Sequence, residues 1–168
     1  GTLSNLFFSQ NNAVYGGGIA LHSSHFSMRK IQLVMNHGSS EGGGIWAQQS
    51  TYELDESLIS RNEAPNGGGC YHTQSSAQIT KTTIENNKAL SGSGGGIFNT
   101  YNSSPVITNC IFRYNTAGTN GGGLANSSVS SPVITNCVFA YNSAGENGGG
   151  FSSYGNSSAV LTNITISK

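Results

Sequence analysis

The eleven residues Pro105-Val106-Ile107-Thr108-Asn109-Cys110-Ile111-Phe112-Arg113-Tyr114-Asn115, followed by Gly121-Gly122-Gly123-Leu124, return 27 residues later. The second copy reads Pro132-Val133-Ile134-Thr135-Asn136-Cys137-Val138-Phe139-Ala140-Tyr141-Asn142, then Gly148-Gly149-Gly150-Phe151. The same frame covers the whole chain. Gly triplets begin at Gly16, Gly42, Gly67, Gly94, Gly121 and Gly148, at intervals of 26, 25, 27, 27 and 27 residues. An Asn stands shortly before each triplet, at Asn11, Asn36, Asn62, Asn87, Asn115 and Asn142. Ten residues before each Asn an apolar segment begins, at Gly1, Phe26, Tyr52, Ala77, Pro105 and Pro132, with a partial seventh from Ala159. A fixed period of this size is the signature of a solenoid.

Aligned segments give columns. The third position holds Leu3, Met28, Leu54, Ile79, Ile107, Ile134 and Leu161; the eighth holds Phe8, Leu33, Ile59, Ile84, Phe112, Phe139 and Ile166. The sixth holds Leu6, Ile31, Ser57, Thr82, Cys110, Cys137 and Ile164. Polar residues fill the fourth and fifth. A spacing of two is a strand with alternate residues inward, and the spacing of three before it demands a bend, placed at Thr108–Asn109 and its equivalents. A further apolar residue follows each triplet, so about three short strands per coil are expected. Helical repeats are excluded by the triplets, because each helix-interior Gly costs ~1 kcal/mol relative to Ala. The fold class is therefore all-β: a single parallel β-helix over residues 1–168, of about six coils of 25–28 residues. Such coils bury their apolar sides only by stacking. The recurring Asn predicts a structural ladder at a bend, each amide bonding the next, and the Gly triplet predicts positive φ and close backbone approach.

Composition narrows the function. Seven Lys+Arg balance seven Asp+Glu, and only 8% of residues are charged. Phosphate recognition needs a Lys/Arg cluster that is absent, so nucleic acid is not an expected partner. No apolar run approaches the ~20 residues of a membrane span. Cys70, Cys110 and Cys137 lack metal-site or disulfide-framework spacing and read as buried thiols.

Phe8-Ser9-Gln10-Asn11, Phe112-Arg113-Tyr114-Asn115 and Phe139-Ala140-Tyr141-Asn142 form F-x-x-N motifs. Gly17-Gly18-Ile19, Gly43-Gly44-Ile45, Gly95-Gly96-Ile97 and Gly122-Gly123-Leu124 form G-G-[AIL] motifs. Their alternation resembles the passenger repeats of polymorphic outer-membrane proteins and related right-handed β-helix surface proteins. This resemblance spans the chain and implies right-handed coils displayed extracellularly or at a cell surface, often for adhesion. The chain departs from that pattern in its third Gly and in Ile or Leu replacing Phe in several coils.

Candidate sites are few. Glu53, Asp55 and Glu56 are the densest acidic group, but Arg29, Lys30 and Lys81 fall on adjacent rungs, where opposite charges pair. No catalytic residue is assigned. His22, His25, His37 and His72 share no column and read as scattered surface side chains, so neither metal nor cofactor is expected. Thr80, Thr108, Thr135 and Thr162 form an outward file beside Val106, Val133 and Val160, an array that could face ice or glycan. Four N-x-[ST] sequons mark candidate glycosylation sites. Asn102, Asn126 and Asn156 are expected in exposed loops, and Asn163 within a strand. Together these readings predict a non-enzymatic, glycosylated scaffold, adhesin-like or fibre-forming. Its partners would be further β-helix coils of a longer chain or neighbouring copies, because the first and last segments are apolar and uncapped. The alternatives are a glycan- or ice-binding face and, last, a piece of a polysaccharide lyase or glycosidase.

Overall fold

The computed structural model describes residues 1–168 and contains strands, turns and bends, with no helix. Each coil lays down four strands. In the coil that starts at Pro105 they are Val106–Thr108, Ile111–Arg113, Thr116–Ala117 and Leu124–Asn126. Each strand pairs in parallel only with its equivalents one coil away. The result is four sheets, here A to D in the order a coil meets them: two of seven strands and two of six. The register holds position on position, as in Ile107↔Ile134 and Phe112↔Phe139.

Four strands replace the expected three. The additional one, in sheet C, lies between the Asn and the Gly triplet and shrinks to two residues in Glu63–Ala64 and Lys88–Ala89. Its inward residue is an Ala in every coil but the second, which has Gly38, and a two-residue run carries no readable periodicity.

Corners separate the sheets, and left-handed residues turn them. Asn5, Lys30, Glu56, Lys81, Asn109, Asn136 and Asn163 have φ between 47° and 56° at the bend between sheets A and B. A second set, including Tyr114 and Tyr141, turns from B to C. Non-glycine residues pay of order 1 kcal/mol or more for that conformation, so the stacked rungs must hold it in place. The Gly triplet makes the C-to-D corner. Gly94 takes φ +71°, and a Cβ on Gly95 or Gly96 would clash with the carbonyl oxygen of Gly122 or Gly123 in the next coil. The first glycine supplies conformation and the other two supply room.

The interior is a continuous apolar file. Leu54, Ile79, Ile107 and Ile134 from sheet A meet Ile59, Ile84 and Phe112 from sheet B, all at 0% exposure. Phe112 and Phe139 stack with ring centroids 4.5 Å apart. Two polar ladders edge this core. Asn36, Asn62, Asn87 and Asn115 are fully buried. The Nδ2 of each donates both to the Oδ1 of the next Asn and to a backbone carbonyl of the preceding coil, as Asn87 does to Asn115 at 3.0 Å and to Ile59 at 2.9 Å. A serine ladder runs at the D-to-A corner through Ser24, Ser50, Ser75, Ser103, Ser130 and Ser157. There each backbone N–H donates to the hydroxyl one coil on, at 3.0–3.1 Å. These serines recur two residues before each segment start.

Phe112→Ala should destabilise the fold by ~3–5 kcal/mol, the usual cost of truncating a buried aromatic. Urea denaturation of the variant against the parent chain checks this; a loss below ~1 kcal/mol would mean that Phe112 is not a core residue.

Candidate functional site

Sheet A presents the most chemically varied outer face. Strand alternation that sends Met28, Leu54 and Ile79 inward sends Ser27, Arg29, Glu53, Asp55, Gln78 and Thr80 outward. These six polar residues line a shallow groove of about 390 Å³. Arg29 bridges two carboxylates, Nε to Asp55 Oδ2 at 3.3 Å and Nη2 to Glu56 Oε1 at 2.8 Å. Lys30 Nζ lies 3.9 Å from Glu56 Oε2. Thr80 donates its hydroxyl to Asp55 Oδ1 at 2.6 Å. That hydrogen bond, with the nearby Lys81 and Arg29 charges, holds the Asp55 carboxyl below its ordinary range. Ion pairs this exposed are screened by solvent and contribute little each. A wider groove of about 550 Å³ opens round the corner between Lys30, Glu56 and Phe7.

Further along the same face the charges stop. Thr80, Thr108, Thr135 and Thr162 stack in register, as do Gln78, Val106, Val133 and Val160. No group of three or more His, Cys, Asp or Glu stands close enough to hold a metal ion.

The histidines divide differently from the sequence reading. His22 lies in the strand Ile19–His22 and stacks on Trp46 with an interplanar angle of 7°. His25 opens the strand His25–Arg29 and bonds Thr51, while His37 meets Glu63 at 3.1 Å. His72 is not a surface residue: its exposure is 0%. It lies inside the solenoid, with Nε2 2.6 Å from the Tyr52 hydroxyl and Nδ1 2.7 Å from Asn99 Oδ1. Asn99 Nδ2 in turn donates to Asn126 Oδ1 at 2.8 Å. This order assigns the proton: Asn99 Oδ1 accepts from Nδ1–H, and Nε2 accepts from the Tyr52 O–H. Burial pushes the His72 imidazole down to about 4.

The same file corrects one sequon. Asn126 is fully buried at the end of the strand Leu124–Asn126, its Nδ2 without a protein partner. It is not in an exposed loop, and the folded chain offers no access to it. One signal accounts for both errors. Cys70 occupies the inward column after the triplet, so the residue two further on must also face in. That column reads Leu21, Ala47, His72, Asn99 and Asn126. Asn102 and Asn156 are exposed, in the file where Val129 lies between them, at φ 62° and 59°. Asn163 is likewise exposed, at the A-to-B corner with φ 52°, and not within a strand.

His72 sets a pH dependence. Its folded value of about 4 lies below the ordinary 6.5, so the unfolded chain binds the proton more tightly. The associated stability is fully present above pH ~6.5 and is lost as pH falls through ~4, by up to about 3 kcal/mol. Urea unfolding between pH 7 and 4 should show this loss, and His72→Gln should flatten it; an unchanged pH slope in the variant would contradict the assignment.

Residues 1–112 match the family described as the right handed beta helix region. No curated protein matches the chain. That match covers two thirds of the residues, and the parallel four-sheet coil agrees with it. The chain belongs to the right-handed β-helix family.

Proposed function

We propose that this chain is a non-enzymatic scaffold working outside the cell or at its surface, adhesin-like or fibre-forming, and carrying N-glycans. The observation that carries the reading is the state of the acidic cluster. A carboxylic acid used for proton transfer needs its pKa raised towards neutrality. Asp55 is driven the other way by Thr80, Lys81 and Arg29, and Glu56 is held between Arg29 and Lys30. These groups act as cross-rung pairs that join neighbouring coils. The resemblance to polymorphic outer-membrane repeats supports the surface role, and the exposed sequons at Asn102, Asn156 and Asn163 support glycosylation. Further β-helix coils or neighbouring copies are the proposed partners.

A second reading has its own support. Val106/Thr108, Val133/Thr135 and Val160/Thr162 repeat one outward pair on three successive rungs. At the ~4.8 Å rung spacing this face could match a regular lattice such as ice or an extended glycan. Ice-recrystallisation and polysaccharide pull-down assays with Thr135→Lys separate it from the scaffold reading.

Incubated with acidic and neutral polysaccharides, the chain is expected to release no reducing ends or unsaturated products. Turnover that disappears in Asp55→Asn would overturn the non-enzymatic reading. In folded material from a eukaryotic secretory host, glycopeptide mapping should find sugar at Asn102, Asn156 and Asn163 and none at Asn126. A glycan on Asn126 in folded chain, or three bare exposed sequons, would contradict this part of the proposal.

A further inference from the structure

Two thiols occupy successive rungs of one corner. Cys110 and Cys137 both stand just before a sheet B strand, between register pairs Thr108↔Thr135 and Ile111↔Val138. They are therefore stacked directly, one coil apart, and each is only 1% exposed. In-register parallel rungs put Cα atoms about 4.8 Å apart, inside the window of ~4.4–6.8 Å that disulfides span. The sulfurs already interact with the neighbouring coil: the Cys110 backbone N–H donates to Cys137 Sγ at 3.4 Å.

The corner does not need sulfur for its hydrogen bonds. Two coils earlier the same seat holds hydroxyls. Ile31 N–H donates to Ser57 Oγ at 3.0 Å, and Ser57 Oγ donates to the Asp55 carbonyl at 2.7 Å. Cys137 repeats the arrangement with longer contacts, its thiol donating to the Thr135 carbonyl at 3.2 Å. Sulfur is the weaker partner in both roles. The ladder accounts for a small polar residue here, and two consecutive thiols add a capacity the hydroxyls lack. The neighbouring Cys110 side chain and backbone N–H lower the Cys137 thiol below its ordinary range, while the Cys110 thiol donates to the Thr108 and Ile79 carbonyls. Cys70, the third thiol, lies on sheet D, remote from this corner in the coil.

We propose that Cys110 and Cys137 form a rung-to-rung disulfide when the chain folds in the presence of a disulfide oxidant, leaving Cys70 free. Written for glutathione disulfide, the Cys137 thiolate attacks one glutathione sulfur and expels the first glutathione as thiolate. Cys110 then attacks the Cys137 sulfur of the mixed disulfide and expels the second. Two protein thiols lose two protons and two electrons, and one glutathione disulfide becomes two glutathiones. The bond closes one full coil and fastens it to the next.

The chain is unfolded and refolded in glutathione buffers from reducing to oxidising, quenched with an alkylating agent in denaturant, and read by intact mass and peptide mapping. We expect the alkylated thiols to fall from three to one, a single Cys110–Cys137 link, and a higher thermal midpoint than the reduced chain. Cys137→Ser, which places a hydroxyl where Ser57 has one, should refold and retain two alkylatable thiols throughout. Three free thiols at every ratio, a link through Cys70 or between chains, or stable glutathione adducts on Cys110 or Cys137 would each overturn the proposal. So would loss of two thiols in Cys137→Ser.

Discussion

Four successive coils share a buried amide whose partners come from the coils stacked on either side of it. The Asn at the B-to-C corner is sealed from water, so its two N–H donors and its carbonyl oxygen must find partners inside the protein. Rung stacking supplies them. Asn62 Oδ1 accepts both the backbone N–H and the Nδ2 of Asn36, at 2.9 Å each, while Asn62 Nδ2 reaches Leu33 O and Asn87 Oδ1. The bond is satisfied only when the next coil arrives in register. A one-residue slip would strand the amide and turn the apolar columns outward together. The ladder thus ties the corner, the register and the core to a single condition.

Much of this was legible in the sequence because it repeats. Asn115 and Asn142 stand at identical offsets from Phe112 and Phe139, and inward columns three and eight follow from period-two alternation in the strands. The bend at Thr108–Asn109 appears as the left-handed Asn109 and its equivalents. What escaped notice had weak or broken repetition. Four of the six sheet C strands have two residues and are too short to alternate. The inner file of sheet D changes chemistry midway, from Leu21 and Ala47 to His72, Asn99 and Asn126, so its polar members resemble surface residues when read singly. Only their parity with Cys70 and Leu124 places them inside. The serine ladder was visible by spacing alone, but serine in a Ser-rich loop carries little contrast.

The outer faces divide by coil. On sheet A the charges are confined to the coils of Arg29, Asp55 and Lys81, and they give way to Val and Thr from Val106 onward. The charged half holds rungs together through exposed pairs such as Arg29–Asp55, each a modest contribution. Round the corner on sheet B, Arg113 Nε pairs with Glu85 Oε2 at 2.6 Å, and beyond it Phe112 on Phe139 and the continuing Asn ladder link the later coils. A packed interior of this kind leaves the outer residues open to variation without disturbing the coil, which is the physical ground for the proposed scaffold role.

The most direct measurement of the central claim is urea unfolding of Asn87→Ala beside Asn11→Ala. Asn87 is fully buried, and its removal orphans the Asn62 backbone N–H and one Asn62 Nδ2 hydrogen and takes one of its donors from the Ile59 carbonyl. With each orphaned donor costing about 1–3 kcal/mol, Asn87→Ala should lose roughly 2–6 kcal/mol. Asn11 is exposed and sits at one end of the ladder, so its truncation should cost under about 1 kcal/mol on the same grounds. Equal costs for the two variants, or a loss below about 1 kcal/mol for Asn87→Ala, would contradict the account that the buried amide ladder holds the solenoid in register.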